Sequence, residues 1–264
     1  MSYVNKVVWI TGASSGIGKA LTLHLADQGA KLIISSRRKE DLKTVKQLCK
    51  NPENVYVLDL DLAQHSNFHE KTIEAISAFG HIDILVNNGG ISQRALVRDT
   101  SIEVDERIMN INYLGTIALT KAVLPHFIEN QSGQLVVTTS IVGKIGTPLR
   151  SSYAASKHAL HGFFDSLRAE VYNDNIAVTL ICPGYVRTNV SINALTGNGA
   201  PQKTMDKATA NGIKPERFAR MMASAIKNKK EEAYIAGAKE KLGVYVKRWF
   251  PKVFSVMIRK LSVT

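Results

Sequence analysis

The chain is expected to fold as a single α/β domain, a doubly wound Rossmann-type parallel sheet with helices on both faces. Three observations predict this. Short apolar runs alternate with segments of helical periodicity along most of the 264 residues. Those runs are apolar along their whole length, as in strands covered on both faces, instead of alternating apolar and polar. The glycine-rich and polar oddities sit at the ends of the runs, where open α/β sheets bind their ligands.

In chain order, Val7-Val8-Trp9-Ile10 reads as a first strand, followed by a helix over 19–27. Lys31-Leu32-Ile33-Ile34 precedes a helix over 39–48, and the strand 55–58 precedes a helix over 68–79. Ile84-Leu85-Val86 leads to a long helix over 102–129, the strand 135–138 to a helix over 152–172, and a last apolar run spans 177–182. Right-handed crossovers between such units give the doubly wound arrangement. Residues 189–215, with Asn193, Gly197-Asn198-Gly199-Ala200-Pro201 and Gly212, are irregular and weakly apolar, and suit a substrate loop or lid.

A hydrophobic content of 45% with 21% charged residues excludes disordered, collagen-like and disulfide-scaffold chains. The net charge of +12 leaves nucleic acid, anionic lipid and phosphorylated small molecules open as partners. It is uneven, because residues 227–264 hold ten Lys or Arg against three Glu, a net +7. No nucleic-acid recognition motif accompanies the charge, so no nucleic-acid partner is expected. Cys49 and Cys182 are far apart, and Cys182 ends a buried run, so neither a disulfide nor a metal site is expected. That usage suits a reducing, cytoplasmic compartment. The first five residues run straight into the first strand, leaving no room for a signal peptide, and no stretch of 18 apolar residues exists to span a membrane.

After the first strand comes Thr11-Gly12-Ala13-Ser14-Ser15-Gly16-Ile17-Gly18, a glycine-rich turn opening into a helix. Such a turn brings backbone N–H groups and a positive helix end up to a pyrophosphate; tight packing is the alternative use. The second strand ends in Ser35-Ser36-Arg37-Arg38, without the acidic side chain that would bind ribose hydroxyls. Two guanidiniums match a 2′-phosphate and predict NADP(H) over NAD(H), the alternative being a solvated helix start. Tyr153 and Lys157, four apart, share one helix face. A free phenol, with a pKa of about 10, is a poor acid or base at neutral pH, and a nearby ammonium lowers it. Ser140, at the end of a strand, can hold a substrate oxygen beside Tyr153, or serve simply as a turn residue. No Gly-x-Ser-x-Gly elbow surrounds any serine, which argues against esterase chemistry.

These pieces, together with Asn87-Asn88-Gly89-Gly90, Asn112 and Pro183-Gly184, resemble in order the short-chain dehydrogenase/reductase family over residues 4–190. The resemblance implies an NAD(P)(H)-dependent oxidoreductase on a seven-stranded sheet, usually dimeric or tetrameric, acting on a small carbonyl or alcohol. By that likeness Tyr153 is the acid/base, Lys157 lowers its pKa and holds the nicotinamide ribose, and Ser140 binds the substrate oxygen. Asn112, in Asn-x-x-Gly form with Gly115 and preferred over Asn110, kinks the long helix and holds a water in a proton relay. Gly12, Ser14, Ser15, Gly16, Ile17 and Gly18 cradle the cofactor, with Arg37 and Arg38 at its 2′-phosphate. Asp61, preferred over Asp59, and Leu62 meet the adenine, Asn88, Gly89 and Gly90 the nucleotide, and Pro183, Gly184, Val186 and Thr188 the nicotinamide. No metal is implied. The segments 88–94, 153–158 and 183–189 further resemble a subgroup of lipid-linked reductases, suggesting an apolar carbonyl substrate. Arg94 or Arg150 would meet a substrate phosphate or remain a solvated surface charge.

The segment 243–264 is basic and carries Val244, Val246, Trp249, Phe250, Val253, Phe254, Met257, Ile258 and Leu261 at helical spacing. It suits either a peripheral membrane contact or a face packed over the substrate pocket or a neighbouring subunit with its cations solvated, and Pro251 splits it into two short helices.

Overall fold

The structure is a computed structural model and describes residues 2–260. Its strands are β1 (Val7–Thr11), β2 (Lys31–Ser36), β3 (Val55–Asp59), β4 (Ile84–Asn87), β5 (Gly133–Thr138), β6 (Ile176–Pro183) and β7 (Glu232–Ile235). They form one sheet in the order β3-β2-β1-β4-β5-β6-β7, every pairing parallel. The order reverses at β1 and β4, which opens a crevice beyond their carboxyl ends. β7 lies outside the apolar runs read from the sequence, because Glu232-Ala-Tyr-Ile is only four residues long and half of it is partly exposed.

The helices are α1 (Gly16–Asp27), α2 (Lys39–Gln47), α3 (Phe68–Phe79), α4 (Ile102–Met109), α5 (Gly115–Glu129), α6 (Ser151–Glu170), α7 (Lys207–Ala210), α8 (Pro215–Lys227), α9 (Ala238–Trp249) and α10 (Pro251–Lys260). Side chains along each strand alternate between two cores. Val8 and Ile10 of β1 pack with Leu21, Leu25, Phe218 and Met222 of α1 and α8. Val7 and Trp9 pack on the opposite face with Phe68, Leu119, Phe127 and Phe164 of α3, α5 and α6. Each such side chain contributes about 1.5–3 kcal/mol on burial, which is why the strands read as continuous apolar runs.

The expected long helix over 102–129 is broken by a wide π turn, Asn110–Leu114, between α4 and α5. A Cβ on Gly115 would lie 2.2 Å from the Leu62 carbonyl oxygen, so the helix can pass this point only as glycine. Pro251 does divide the basic segment, as α9 and α10. One face of this helix pair, Val244, Val246, Phe254 and Ile258, packs on Ile141, Ile145 and Cys182. The other face leaves Trp249 and Phe250 71% and 62% exposed. Leu261 lies outside the described residues. Among the described residues no helix is long and apolar enough to cross a membrane. Both cysteines are free and buried.

Candidate active site

At the carboxyl end of β1 the chain must turn sharply into α1, and two glycines with positive φ, Gly12 (66°) and Gly16 (56°), make the turn. A Cβ on Gly12 would come 2.8 Å from Gly89 Cα, and one on Gly18 would come 2.3 Å from the Gly12 carbonyl oxygen. The two glycine-rich loops are thereby held in backbone contact. Thr11 fastens them: its Oγ1 accepts hydrogen bonds from the N–H groups of Asn88 and Gly89, each at 3.0 Å, and its carbonyl accepts one from Asn88 Nδ2 at 3.1 Å. A Cβ on Gly89 would meet only the tip of Leu62, at 2.6 Å. The Leu62 side chain thus fills the space beside Gly89 that a methyl would take.

These loops form one wall of a cleft of about 570 Å³ running along the carboxyl edge of the sheet. All of the expected cofactor residues line it except Gly18, which packs beneath Gly12. Asp61 lines the cleft, whereas Asp59 is outside it and pairs with Lys71. At the outer end Arg37 and Arg38 are exposed; Arg38 Nη2 donates to Ser14 Oγ (2.9 Å) and Ser15 Oγ (3.0 Å), and its Nε pairs with Asp41 at 3.1 Å. Glu40 and Asp41 lie in the first turn of α2, so Arg38 meets an anion of the chain itself, while Arg37 is exposed at the mouth of the cleft.

At the inner end, Tyr153 and Lys157 project from the first turns of α6 toward Ser140, which follows β5. The Ser140 hydroxyl donates to the Pro183 carbonyl at 3.4 Å and accepts from Val142 N at 3.1 Å, and Lys157 Nζ lies 5.9 Å from the centre of the Tyr153 ring. Lys157 Nζ donates to the Thr138 carbonyl at 2.8 Å. Burial lowers Lys157 from its ordinary value to about 8. Burial raises the Tyr153 phenol, against the downward shift expected from Lys157; the Ser140 hydrogen bond and the charges of Arg94 and Arg150 oppose that rise. The reason is that desolvation disfavours any charged form; Lys157 is buried and Tyr153 partly buried.

Asn112 lies in the π turn behind this wall. Its Oδ1 accepts from Ile91 N (2.8 Å), and its Nδ2 donates to Ile91 O (2.9 Å) and Ser156 Oγ (3.1 Å). A Cβ on Gly90 would fall 3.0 Å from Asn112 Oδ1 and 3.7 Å from Lys157 Nζ, so Gly90 separates the two by the thickness of a bare backbone. The Asn112 side chain thus joins the loop after β4 to α6.

The opposite wall is made by the segment after β6 and by residues 189–215. Here the expectation for two arginines is corrected. Arg94 and Arg150 are buried, neither solvated nor on the cleft wall, and both contact Asp206. Glu240 also escaped the sequence reading: its Oε1 accepts from Tyr185 N at 2.8 Å and steadies the chain past Gly184. Among the described residues no cluster of His, Cys, Asp and Glu could hold a metal.

A glycine-walled crevice with basic residues at one end and Ser140, Tyr153 and Lys157 at the other fits an elongated, anionic dinucleotide. The short chain dehydrogenase family matches residues 6–198, and the chain belongs to that family of oxidoreductases, which bind nicotinamide dinucleotides. It is 40% identical over 263 residues to a dehydrogenase/reductase SDR family protein 7-like of Drosophila melanogaster, covering 98% of this chain and 81% of that one. It is 41% identical over 251 residues to dehydrogenase/reductase SDR family member 7 of Homo sapiens, covering 93% and 74%. A short-chain dehydrogenase/reductase from Burkholderia phymatum, solved in complex with NAD, shares the fold at a TM-score of 0.84 and 21% identity, covering 96% of each chain.

Proposed function

We propose that the protein is an NADP(H)-dependent reductase of lipophilic ketones, and in reverse a dehydrogenase of the corresponding secondary alcohols. The single observation that carries this reading is the convergence of Ser140, Tyr153 and Lys157 at the inner end of a glycine-walled cleft whose outer end is basic. The nicotinamide supplies or accepts the hydride. Gly12, Ser14, Ser15, Gly16 and Ile17 would hold the pyrophosphate, Asp61 and Leu62 the adenine, and Asn88, Gly89 and Gly90 the adjoining sugar. Pro183, Gly184, Val186 and Thr188 would flank the nicotinamide ring. Arg37 and Arg38 favour NADP(H), because a guanidinium matches the geometry of a 2′-phosphate.

Ser140 orients the substrate oxygen and Tyr153 gives it a proton during reduction. A phenol kept protonated by burial is the competent form for that direction. Lys157 binds the ribose and adds positive charge beside the phenol when protonated. Asn112 positions Ile91 and Ser156 and supports the proton path from Lys157. Residues 189–215 form the lid, and its cleft-facing Val190, Leu195 and Pro201, with Ile91 and Ile111, make an apolar wall for the substrate.

The test is oxidation of NADPH by purified protein with a series of aliphatic methyl ketones, read as loss of nicotinamide absorbance. Turnover that falls by roughly 10³-fold or more in Tyr153→Phe, with NADPH still bound, supports the reading. Equal turnover in that variant refutes it.

A homodimer or homotetramer is the proposed assembly, and a cytoplasmic protein with a peripheral membrane contact is the proposed setting. The contact is favoured by Trp249, Phe250, Val253 and Val256, which are exposed beside Lys247, Arg248, Lys252 and Arg259 on α9 and α10. The protein should co-sediment with vesicles rich in phosphatidylserine at low salt, and a Trp249→Ala/Phe250→Ala variant should lose most of this; no sedimentation of the wild type contradicts the contact.

A further inference from the structure

The loop after β4 joins two parts of the site that lie far apart in the chain. Gln93 is fully buried, and its Oε1 accepts from Ser152 N at 2.9 Å and from Tyr153 N at 3.4 Å. Helix α6 has no side-chain cap from its own N-cap residue, Arg150, so this carbonyl supplies one from outside. The next residue, Arg94, donates from Nε and Nη2 to Asp206 Oδ2 at 2.8 and 2.6 Å, and from Nη1 to Ser92 Oγ at 2.9 Å. Asp206 belongs to the 189–215 segment. Its carboxylate also lies 3.6 Å from Arg150 Nη2, and its Oδ1 accepts from Gln202 Nε2 at 3.0 Å. The side chains of Arg94, Arg150 and Asp206 are 6%, 3% and 2% exposed.

The backbone repeats the connection: Arg94 N donates to Leu195 O and Leu195 N to Ser92 O, each at 2.8 Å. A buried carboxylate bound in this way is left an uncompensated charge if its cation is removed. Asp206 is accordingly held below its ordinary carboxylate value by Arg94, Gln202 and Arg150 against the opposing effect of burial.

We infer that Arg94 and Asp206 are positioning residues of the reaction: their buried ion pair fastens the 189–215 segment to the loop after β4, whose Gln93 caps the helix that carries Tyr153. This rests on the reading of Tyr153 as proton donor. Among the charged groups acting near the phenol are Lys157 on its own helix, Arg150 at the N-cap of that helix and Arg94 after β4. Asp105 of α4 hydrogen-bonds Ser152, the residue before Tyr153, Arg107 of α4 lines the same cleft as Tyr153, and the Arg150 guanidinium lies 5.8 Å from the centre of the Tyr185 ring. The charge of Arg94 works on the phenol in the same direction as the Ser140 hydrogen bond, toward the ionised form.

Two measurements on Arg94→Met, Arg94→Lys and Asp206→Asn test this. The first is the tyrosinate ultraviolet signal of Tyr153 against pH, isolated by subtracting the Tyr153→Phe counterpart of each protein. Its midpoint should move up by roughly one unit in Arg94→Met, which loses a cation, and down in Asp206→Asn, which loses an anion; Arg94→Lys should lie near wild type. The second is tryptic cleavage of the folded proteins after Lys203 and Lys207. It should be several-fold faster in both Arg94→Met and Asp206→Asn, because both unfasten the segment.

Faster cleavage with midpoints that move together, or not at all, overturns the electrostatic role. Unchanged cleavage overturns the fastening role. Neither readout uses turnover, so a Tyr153→Phe enzyme that retains activity would overturn the reductase reading by a separate result.

Discussion

The two walls of the cleft are built on different physics. The nucleotide wall is made of backbone. Gly12, Gly18 and Gly89 sit in contact, Thr11 ties the loops by accepting from the N–H groups of Asn88 and Gly89, and the whole hangs from the buried β1 and β4. The opposite wall is fastened from behind by side chains, with Arg94 donating to Asp206 across 112 residues and the Glu240 carboxylate accepting from Tyr185 N across 55. A backbone wall admits one geometry and a rigid ligand part. A wall fastened by a few polar pairs can be redrawn for a different substrate while the cofactor side stays fixed.

Substitutions in the first wall should break it in proportion to what the added atom meets. Gly18→Val places atoms against the Gly12 backbone, which has nowhere to move. We expect a loss of about 4 kcal/mol in stability and of nucleotide binding, measured by denaturant unfolding and calorimetry. Wild-type values for both would contradict the backbone account.

Behind the second wall, His161 lies between α6 and β6, its Nε2 3.8 Å from Cys182 Sγ and its Nδ1 without a hydrogen-bond partner. Burial first, then the charge of Lys144, lowers His161 from 6.5 to about 4. Between these values the unfolded chain binds a proton that the folded one refuses, so stability falls as pH drops from 6.5 to 4. The loss reaches up to about 3 kcal/mol. Unfolding curves at pH 7 and pH 4.5 should show this decline in wild type and a smaller one in His161→Phe; an equal decline in both removes His161 as its source. The smallest effect belongs to Gly89→Ala, whose methyl displaces only the Leu62 tip: below about 1.5 kcal/mol, with nucleotide still bound.

The same contrast explains what could be read from the sequence. The strands from β1 to β6, the glycine turn, Tyr153 and Lys157 follow from local patterns, because each needs particular residue types within a few positions of one another. Asp61 lines the cleft, whereas Asp59 ends β3 outside it. Asp206, Gln93 and Glu240 carry no such pattern: an acidic residue in an irregular loop looks the same whether it is solvated or clamped by two guanidiniums. Arg94 and Arg150 were misjudged for that reason, since a buried ion pair is a property of two segments. β7 was missed because four residues with mixed exposure have no reliable period. The terminal helices were legible in position and break but not in orientation. Val244, Val246, Phe254 and Ile258 turn inward, whereas Trp249, Phe250 and Val253 turn outward, and only packing decides which.

The most direct test of the account is calorimetric titration of the purified protein with NADPH and with NADH, repeated on Arg37→Ala. The account predicts that NADPH binds at least about tenfold more tightly, a difference of about 1.4 kcal/mol, and that the variant loses this margin while still binding NADH. Equal affinities in the wild type would contradict the role of the basic end, and binding of neither nucleotide would contradict the assignment of the cleft.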